Sequence, residues 1–319
     1  MCPVCKEEAD FKFIQDYQNE WGKWSLYECS KCEVQFWMPF KAPGKEWYQS
    51  CVGYIVQNIE RPKLSRGYHR KFLKIFGKIP KDIRVLDLGC GRGEFLAELK
   101  KRGCEVWGVD FDKNAIKVAK SYFGLRNVYA MSFDDFFKLS NLPRFDIITF
   151  FEVIEHLDNP LEFIENVVKL IKDEGSIVLS TPSRDRILVN AIKADFPFHH
   201  LSRWNEKAIS NLFRKFNFRI VRVEYVEQFQ FILDALSERL RFGLVAKTIQ
   251  NKGSYIGEKK LLTKIVHSAA YFKDYFLFGL PAFILFLIGK LKKQKNGDML
   301  VWLKKQHALS KTTKNLSSL

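Results

Sequence analysis

The sequence of 319 residues lacks the features that would direct a protein out of the cytoplasm or across a membrane. Its first residues, MCPVCKEE, contain no apolar core of a signal peptide. Its seven cysteines do not form the framework of a small disulfide-rich secreted protein. The most apolar segment, YFLFGLPAFILFLIG at 275–289, is shorter than the roughly 20 residues of a spanning helix, and Pro281 interrupts it. We therefore expect a cytoplasmic protein.

Acidic residues are scarce relative to basic ones, with 36 Asp and Glu against 52 Lys and Arg, a net charge of +16. Much of the excess lies between Arg241 and Leu319, where only Glu258, Asp274 and Asp298 are acidic. Such a surface attracts nucleic acid, anionic lipid or phosphorylated metabolites. Hydrophobic residues make up 47% of the chain, which excludes global disorder.

The chain divides into four predicted parts. Residues 1–45 carry paired cysteines and aromatics, which indicates a small ribbon held by a metal, and 46–80 show helical spacing typical of a connector or lid. Residues 81–226, with a last strand at 297–305, alternate strand and helix patterns, so the predicted fold class is α/β with a mostly parallel sheet. Residues 227–296 form a basic, apolar, helical insertion before that strand.

A glycine-rich turn follows the first strand of the α/β region. The string VLDLGCGRGEF places Gly89, Gly91 and Gly93 between a strand and a helix, with Asp87 just before them. The spacing G-x-G-x-G differs from the dinucleotide fingerprint G-x-G-x-x-G. Downstream, GVDFD places Asp110 at the end of the second strand, where a carboxylate can accept hydrogen bonds from ribose hydroxyls.

These motifs resemble the S-adenosylmethionine-binding loop of the class I methyltransferases. The resemblance implies a Rossmann-like domain with a seven-stranded sheet whose last strand is antiparallel. It also implies that Asp87 and the loop hold the methionine part of S-adenosyl-L-methionine, Asp110 the ribose, and AMSFDDF the adenine. Met131 stands where an acidic residue often binds the adenine amino group, so Ser132 or Asp134 is a candidate substitute. The cofactor-binding residues implied in this way are Asp87, Gly89, Cys90, Gly91, Gly93, Asp110, Phe111, Met131, Ser132, Phe133 and Glu152.

The fourth strand, FDIITF, runs into FEVIEHLDNP, which resembles the ubiquinone-biosynthesis O-methyltransferases over about residues 83–226. In those relatives the E-x-x-E-H motif can hold a divalent cation, which would give Glu152, Glu155 and His156 that role, with Mg²⁺ or another dication. Two carboxylates and an imidazole suit such an ion. The alternative is that Glu152 lines the cofactor site while Glu155 and His156 fix the loop.

A second histidine-containing segment, FPFHHLSRW, follows the fifth strand on the side where open α/β sheets bind ligands. His200 or His199 could remove a proton from the acceptor, since imidazole titrates near neutrality, and His156 is a third catalytic candidate. The alternative is that these histidines and Trp204 pack the loop before a helix capped by Ser202 or Asn205.

The first four cysteines have the spacing C-x2-C-x23-C-x2-C, which is typical of a structural zinc site. The ligands would be Cys2, Cys5, Cys29 and Cys32, and unliganded or redox-active thiols are the alternative. Lys6 and Glu33 follow the two knuckles where many ribbons have glycine, which predicts backbone strain. The ribbon would present Trp21, Trp24, Phe36 and Trp37 to the main domain or the substrate.

The predicted function is transfer of a methyl group to oxygen or nitrogen of a small or lipid-linked acceptor of sugar, quinone or isoprenoid type. The insertion at 227–296 would dock on an anionic membrane surface, at the inner face of the membrane, or instead form a helical cap or a dimer interface. An RNA methyltransferase is the second interpretation, because zinc-ribbon rRNA guanine methyltransferases share the domain order and the charge suits phosphate. A non-catalytic cofactor-binding scaffold is the third.

Overall fold

Two β-sheets organise the protein in a computed structural model. The structure describes residues 1–44, 64, 66–77, 82–186, 189–190, 195–226, 229, 232–233, 236, 276–288, 291 and 297–306. The strands are β1 (Phe11–Asn19), β2 (Gly22–Cys29), β3 (Gln35–Met38), β4 (Arg84–Leu88), β5 (Glu105–Asp110), β6 (Asn127–Ala130), β7 (Phe145–Phe151), β8 (Ile171–Pro182), β9 (Ser202–Arg203), β10 (Phe218–Val226) and β11 (Asp298–Lys305). The helices are α1 (Gly67–Phe76), α2 (Glu94–Lys101), α3 (Lys113–Phe123), α4 (Phe133–Phe137), α5 (Pro160–Leu170), α6 (Glu206–Arg214) and α7 (276–288), with a 3₁₀ turn at Ile154–His156.

The larger sheet has the order β10-β11-β8-β7-β4-β5-β6. Strands β4 to β8 run parallel, and β11 pairs antiparallel with both β8 and β10. This arrangement confirms the predicted seven-stranded, mostly parallel sheet with an antiparallel last strand. The central strands are buried on both faces, as strands covered by helical crossovers must be.

The helices between these strands follow from local sequence signals. Helix α3 begins at Lys113 because the Asp112 carboxylate accepts hydrogen bonds from the backbone N–H groups of Asn114 and Ala115. It ends at Gly124, which adopts the left-handed conformation with φ 61°. Asn205 caps α6 in the same way, accepting from the Ala208 N–H at 3.0 Å, so the predicted cap is confirmed.

The smaller sheet contains the N-terminal ribbon and one strand from the α/β region, in the order β1-β2-β3-β9. Strand β9 lies in the FPFHHLSRW segment and pairs antiparallel with β3. The backbone N–H of Trp37 also donates to the Leu201 carbonyl at 2.9 Å. The ribbon is therefore hydrogen-bonded to the segment that carries two of the predicted catalytic histidines, a connection that the sequence did not reveal.

Side chains from the α/β region fix the two cysteine knuckles of the ribbon. The Lys215 ammonium donates to the Cys5 carbonyl at 3.1 Å, and the Asn211 amide donates to the Cys32 carbonyl at 3.4 Å. The Arg184 guanidinium pairs with the Glu28 carboxylate at 3.2 Å and donates to the Glu33 carbonyl. These contacts fix the position of the ribbon on the α/β region.

Most of the predicted insertion at 227–296 lies outside the described residues. In the described part, Ala282 of α7 is buried in a small cluster with Ile232 and Leu233. Phe276 and Leu280 of the same helix are 81% and 69% exposed. Among the residues that the structure describes, no helix has both the length and the hydropathy needed to cross a membrane.

Helix α1 is the described part of the predicted connector at 46–80. Its Phe72 ring stacks on Trp302 of β11 at 6.0 Å, and its Tyr68 ring stacks on Phe151 at the end of β7 at 5.4 Å. The helix therefore packs on the larger sheet, beside the carboxyl end of one of its central strands.

Candidate active site

The glycine turn after β4 adopts a conformation that favours glycine at all three positions. Gly89, Gly91 and Gly93 have φ angles of 83°, 53° and 78°. The N–H groups of Gly89 and Cys90 donate to the Val109 carbonyl at 2.8 and 3.1 Å, which holds the turn over the end of β5.

Two of these glycines differ in what a side chain would meet. A Cβ at Gly93 would lie 2.6 Å from Leu125 Cδ1 and 3.1 Å from Ala119 Cβ, whereas a Cβ at Gly91 meets nothing within 4 Å. Gly93 is therefore needed for packing of α2 against its neighbours. Gly91 borders open space, where a ligand can approach the backbone.

Asp110 closes the turn from the end of β5. Its two carboxylate oxygens accept from the Gly91 and Asp112 N–H groups, each at 2.9 Å. Burial raises the pKa of Asp110 to about 6 despite these two hydrogen bonds. The carboxylate thus lies against the glycine turn with its orientation fixed, as a group that accepts ribose hydroxyls requires.

Asp87 lies within β4 just before the turn and is 2% exposed. The Thr149 hydroxyl donates to one of its carboxylate oxygens at 2.6 Å. Burial outweighs this hydrogen bond and raises the pKa of Asp87 to about 7. Thr149 is a supporting residue that sequence reasoning missed, because its partner lies on a neighbouring strand 62 positions away.

The remaining predicted cofactor residues follow β5 and β6 along the same edge of the sheet. The Met131 N–H donates to the Asp110 carbonyl at 3.1 Å, which places the end of β6 beside the end of β5. Ser132 caps the short helix α4 by accepting from the Asp135 N–H at 3.1 Å. The Phe133 ring contacts Phe163 at 5.1 Å, and Phe111, directly after Asp110, is partly buried.

Glu152 begins the segment after β7 with φ 55°, in the left-handed region. One of its carboxylate oxygens accepts from the Ser180 hydroxyl at 2.7 Å. Burial raises its pKa, and the nearby carboxyls of Asp298 and Glu155 raise it further. A Cβ at Gly89 would lie 2.8 Å from the Val153 side chain, so this segment contacts the glycine turn directly.

The three predicted catalytic histidines come together. The ring centroids of His156, His199 and His200 are 4.8 to 4.9 Å apart in every pair. The Nδ1 atom of His156 lies 2.6 Å from the His199 carbonyl oxygen, and the Nδ1 atom of His200 lies 3.6 Å from an Asp195 carboxylate oxygen. Burial and the two neighbouring imidazoles lower the pKa of His156, and burial lowers that of His200. His156 and His200 are therefore held as neutral imidazoles at neutral pH.

A cation site shared by Glu152, Glu155 and His156 stays a prediction. In the described ranges, two groups of metal-ligating side chains converge, the three histidines and the four N-terminal cysteines, and neither group contains Glu152 or Glu155. Glu155 lies next to the histidines, 4.0 Å from His156 Nε2. It is 1% exposed, and neither carboxylate oxygen has a partner at hydrogen-bond geometry. Burial raises its pKa to about 8.

Buried charged residues that sequence reasoning missed surround this cluster. Arg186 forms an ion pair with Asp195, and Arg203 lies over the Trp37 and Phe196 rings at 5.1 and 5.3 Å. A small cavity at the end of β8 is lined by Arg186, Asp195 and Arg203 together with Glu155, Ser183 and His200. Arg186 and Asp195 follow β8 in the sequence. Their position beyond the carboxyl end of a parallel strand was the signal that could have placed them at the ligand-binding edge of the sheet.

The four N-terminal cysteines converge as the spacing predicts. The Cys2 and Cys32 sulfurs are 3.9 Å apart, as are those of Cys5 and Cys29, and all four lie within 4.8 Å of one another. Zinc–sulfur bonds of about 2.3 Å in a tetrahedron require sulfurs roughly 3.8 Å apart, so the arrangement fits zinc.

The backbone strain predicted after the two knuckles is confirmed. Lys6 and Glu33 have φ angles of 56° and 59°. Both residues therefore adopt the left-handed conformation that glycine would adopt at lower cost.

The predicted placement of the ribbon aromatics is also confirmed in part. Trp24 and Trp37 are buried and contact Phe198 and Phe196 of the α/β region. Trp21 is 52% exposed, and its ring lies 6.2 Å from Phe198.

Comparison with known proteins places the chain in a family. The family model described as a methyltransferase domain matches residues 60–223, slightly more than half of the chain. The chain belongs to this methyltransferase domain family. The matched range contains the glycine turn, Asp110 and all three histidines, and it excludes the cysteine ribbon and helix α7.

Individual relatives match shorter regions of the methyltransferase domain. The ubiquinone biosynthesis O-methyltransferase of Vibrio cholerae is 32% identical over 114 residues, which are 35% of this chain and 44% of that one. The enzyme of the same name from Coxiella burnetii is 35% identical over 123 residues, 37% of this chain and 53% of that one. The chain thus spans about half the length of the curated relatives it matches.

Among solved structures, the cyclase SpnF has a TM-score of 0.53 and 14% sequence identity, covering 84% of this chain and 98% of that one. This similarity supports the fold alone. Because a protein named as a cyclase has the same fold, the reaction has to be argued from the residues of the site.

Proposed function

We propose that this methyltransferase-domain protein transfers the methyl group of S-adenosyl-L-methionine to oxygen or nitrogen of a small or lipid-linked acceptor. The observation that carries the proposal is the arrangement of Gly91 and Asp110. An open backbone edge lies beside a fixed, partly buried carboxylate, at the carboxyl ends of parallel strands. When bound, the cofactor supplies a methyl group already activated on a sulfonium. Positioning can therefore supply much of the rate acceleration.

Each part of the cofactor would meet a separate group of residues. Asp110 would accept hydrogen bonds from the ribose hydroxyls, and the turn from Gly89 to Gly93, with Asp87 behind it, would hold the methionine part. The residues from Met131 to Phe133 would border the adenine, since they follow β6 next to the end of β5. Glu152, whose carboxylate accepts a hydrogen bond from the Ser180 hydroxyl, would complete the side of the cofactor site that faces the acceptor.

The acceptor would bind between the glycine turn and the three histidines. Val153 contacts the turn, and His156 lies three residues further along the same segment. His156, His199 and His200 are proposed to assist removal of the acceptor proton. The ubiquinone biosynthesis relatives support a small-molecule acceptor, and we propose one of sugar, quinone or isoprenoid type.

The ribbon is proposed to hold one structural zinc ion through Cys2, Cys5, Cys29 and Cys32. Four thiolates fill a tetrahedral shell, so no coordination position remains for a substrate. The support is the sulfur spacing and the backbone turns at Lys6 and Glu33. Because β9 pairs with β3, the ion would act on catalysis only by fixing the position of the histidine segment.

Helix α7 supports docking of the insertion on an anionic membrane surface. Phe276, Leu280 and Leu291 are between 69% and 84% exposed in the described part of the insertion, and four lysines follow at 290–295 in the sequence. An apolar helix with nearby lysines is typical of peripheral binding. A protein bound in this way could receive a lipid-linked acceptor.

The decisive experiment measures cofactor binding and methyl transfer separately. Titration calorimetry with S-adenosyl-L-homocysteine should show binding that Asp110→Ala weakens at least tenfold. Asp112→Ala is the matched control, because Asp112 caps α3 two residues away and should mainly lose about 1 kcal/mol of helix stability. Absence of binding to the unsubstituted protein would refute the proposed function.

Methyl transfer is measured with cofactor labelled on the methyl group, incubated with sugar-precursor, lipid and RNA fractions. Label in a small-molecule or lipid fraction is the expected result. Label confined to RNA would replace the proposed acceptor class with RNA, and cofactor binding without transfer to any fraction would favour a scaffold.

A further inference from the structure

We propose that His156, His199 and His200 form a binding site for a transition-metal dication such as Zn²⁺, Co²⁺ or Ni²⁺, separate from the cysteine cluster. The binding site itself depends only on the positions of these side chains. Its role in catalysis rests on the proposed function, because it lies where the acceptor is placed.

The distances between the three imidazoles match those of a common metal centre. Their ring centroids form a nearly equilateral triangle with sides of 4.8, 4.9 and 4.8 Å. With metal–nitrogen bonds of about 2.1 Å and angles near 100° at the ion, imidazole centroids lie roughly 5 Å apart. One ligand nitrogen from each ring lies within 4.8 Å of the others, so small side-chain rotations bring all three onto one ion.

The His156 ring has the outer hydrogen bond that metal-binding histidines need, and the His200 ring faces a carboxylate just beyond hydrogen-bond distance. The Nδ1 atom of His156 faces the His199 carbonyl oxygen at 2.6 Å, and that of His200 faces the Asp195 carboxylate at 3.6 Å. A partner on one nitrogen fixes the tautomer and leaves the other nitrogen as the ligand. Asp195 is itself held by Arg186. Two of the three rings thus have a neighbour that favours one orientation before any ion binds.

A buried carboxyl group beside the histidines supplies an independent observation. Glu155 is 1% exposed, its two oxygens have no hydrogen-bond partner, and one of them lies 4.0 Å from His156 Nε2. A carboxyl group so placed needs a partner, because an unpaired buried polar group is costly. As a fourth ligand, Glu155 would satisfy that need, and it also lines the small cavity at the end of β8.

The donor set selects the kind of ion. Three imidazoles and one carboxylate favour zinc and its neighbours in the first transition row, whereas Mg²⁺ prefers oxygen ligands and water. This ligand set differs from the predicted Glu152, Glu155 and His156, because Glu152 is bonded to Ser180 and two histidines come from the FPFHHLSRW segment. An ion here would make a nearby acceptor hydroxyl easier to ionise.

The test uses the full-length protein with its ribbon metal retained, and the probe is Co²⁺ alone. Loosely bound metal is first removed with a mild chelator, and zinc content is measured before and after. Added Co²⁺ should then bind at one equivalent per chain and give visible absorption bands without the near-ultraviolet thiolate band of a cysteine site. Mg²⁺ at the same concentration should not compete.

His199→Ala should weaken Co²⁺ binding at least tenfold, and Asp195→Asn should weaken it roughly 10–100-fold, the effect usual for outer-shell partners. His307→Ala is the control, a histidine substitution outside the proposed ligand set. Circular dichroism and cofactor binding establish that each variant is folded. His156→Gln provides a second removal of a ligand if His199→Ala does not fold.

Failure to bind Co²⁺ beyond the ribbon, or equal affinity in the folded His199→Ala, His156→Gln and His307→Ala variants, would overturn the proposal. This result is distinguishable from failure of the proposed function. If the proposed function were wrong, S-adenosyl-L-homocysteine would not bind, whatever the affinity of the protein for the metal.

Discussion

Gly91 and Gly93 are two residues apart in one turn, and alanine at each should damage a different property of the protein. Both have positive φ angles, so alanine at either position costs about 1–2 kcal/mol in backbone strain. Only at Gly93 does the added methyl group meet a filled space, 2.6 Å from Leu125 Cδ1 and 3.1 Å from Ala119 Cβ. Overpacking of this kind costs a further 1–3 kcal/mol.

Gly93→Ala should therefore lower the free energy of unfolding by about 2–5 kcal/mol. For a domain of this size, that corresponds to a fall in melting temperature of roughly 4–20 °C. Gly91→Ala should lower the melting temperature by only a few degrees. Its methyl group points into the open space beside Asp110, where the cofactor would lie against the backbone, so affinity for S-adenosyl-L-homocysteine should fall at least tenfold.

Thermal unfolding followed by circular dichroism measures the first property, and titration calorimetry below the melting temperature measures the second. The reasoning would be refuted if Gly91→Ala bound the ligand as the unsubstituted protein does. It would also be refuted if the two variants unfolded at the same temperature, because the packing difference would then have no energetic effect.

Three further outcomes are expected. Burial raises the pKa values of Asp87 and Asp110 from 3.8 to about 7 and about 6, so between pH 4 and 7 the folded protein binds more protons than the unfolded chain. The ligand-free protein should therefore lose stability as the pH rises from 4 to 7. In thermal denaturation Asp87→Asn should make this loss less steep, and an unchanged pH dependence would contradict the assignment. After a mild chelator has removed metal from the histidine site, Cys29→Ser should lower the remaining zinc content from about one per chain to nearly zero by elemental analysis. Retention of zinc would argue against four-thiolate binding. Arg184→Ala should cost about 1–3 kcal/mol, because its guanidinium, 10% exposed, holds both Glu28 and the Glu33 carbonyl. Lys207→Ala, at a side chain that is 69% exposed, should cost less than about 1 kcal/mol. Equal effects would show that the Arg184–Glu28 pair does not hold the ribbon.

Much of the fold could be predicted because local signals repeat along the chain. The glycine turn, Asp112 as a cap and the buried central strands each follow from a few neighbouring residues. The start of β8 at Ile171 could not be predicted, because the next four residues, Lys172 to Gly175, include no large apolar side chain.

The candidate site was predictable where its residues follow a strand directly. Asp110 and His156 have such positions, and the structure places both at the carboxyl edge of the sheet. The support around them was not predictable, because it joins distant parts of the chain. Thr149 reaches Asp87 from a neighbouring strand, and Arg203 reaches Trp37 of the ribbon only because β9 joins the smaller sheet.

The pairing of β10 with β11 has a consequence for variation among related proteins. Val226 lies directly opposite Asp298, so the chain leaves the sheet and returns to it at neighbouring positions. The segment 227–297 that joins these two ends can change in length at little entropic cost, since closing a loop costs only about 0.6 kcal/mol more for each doubling of its length. Exchanging residues 227–297 between homologues should therefore leave the pairing of β10 with β11 intact, so that the effects of different segments can be compared on one unchanged sheet.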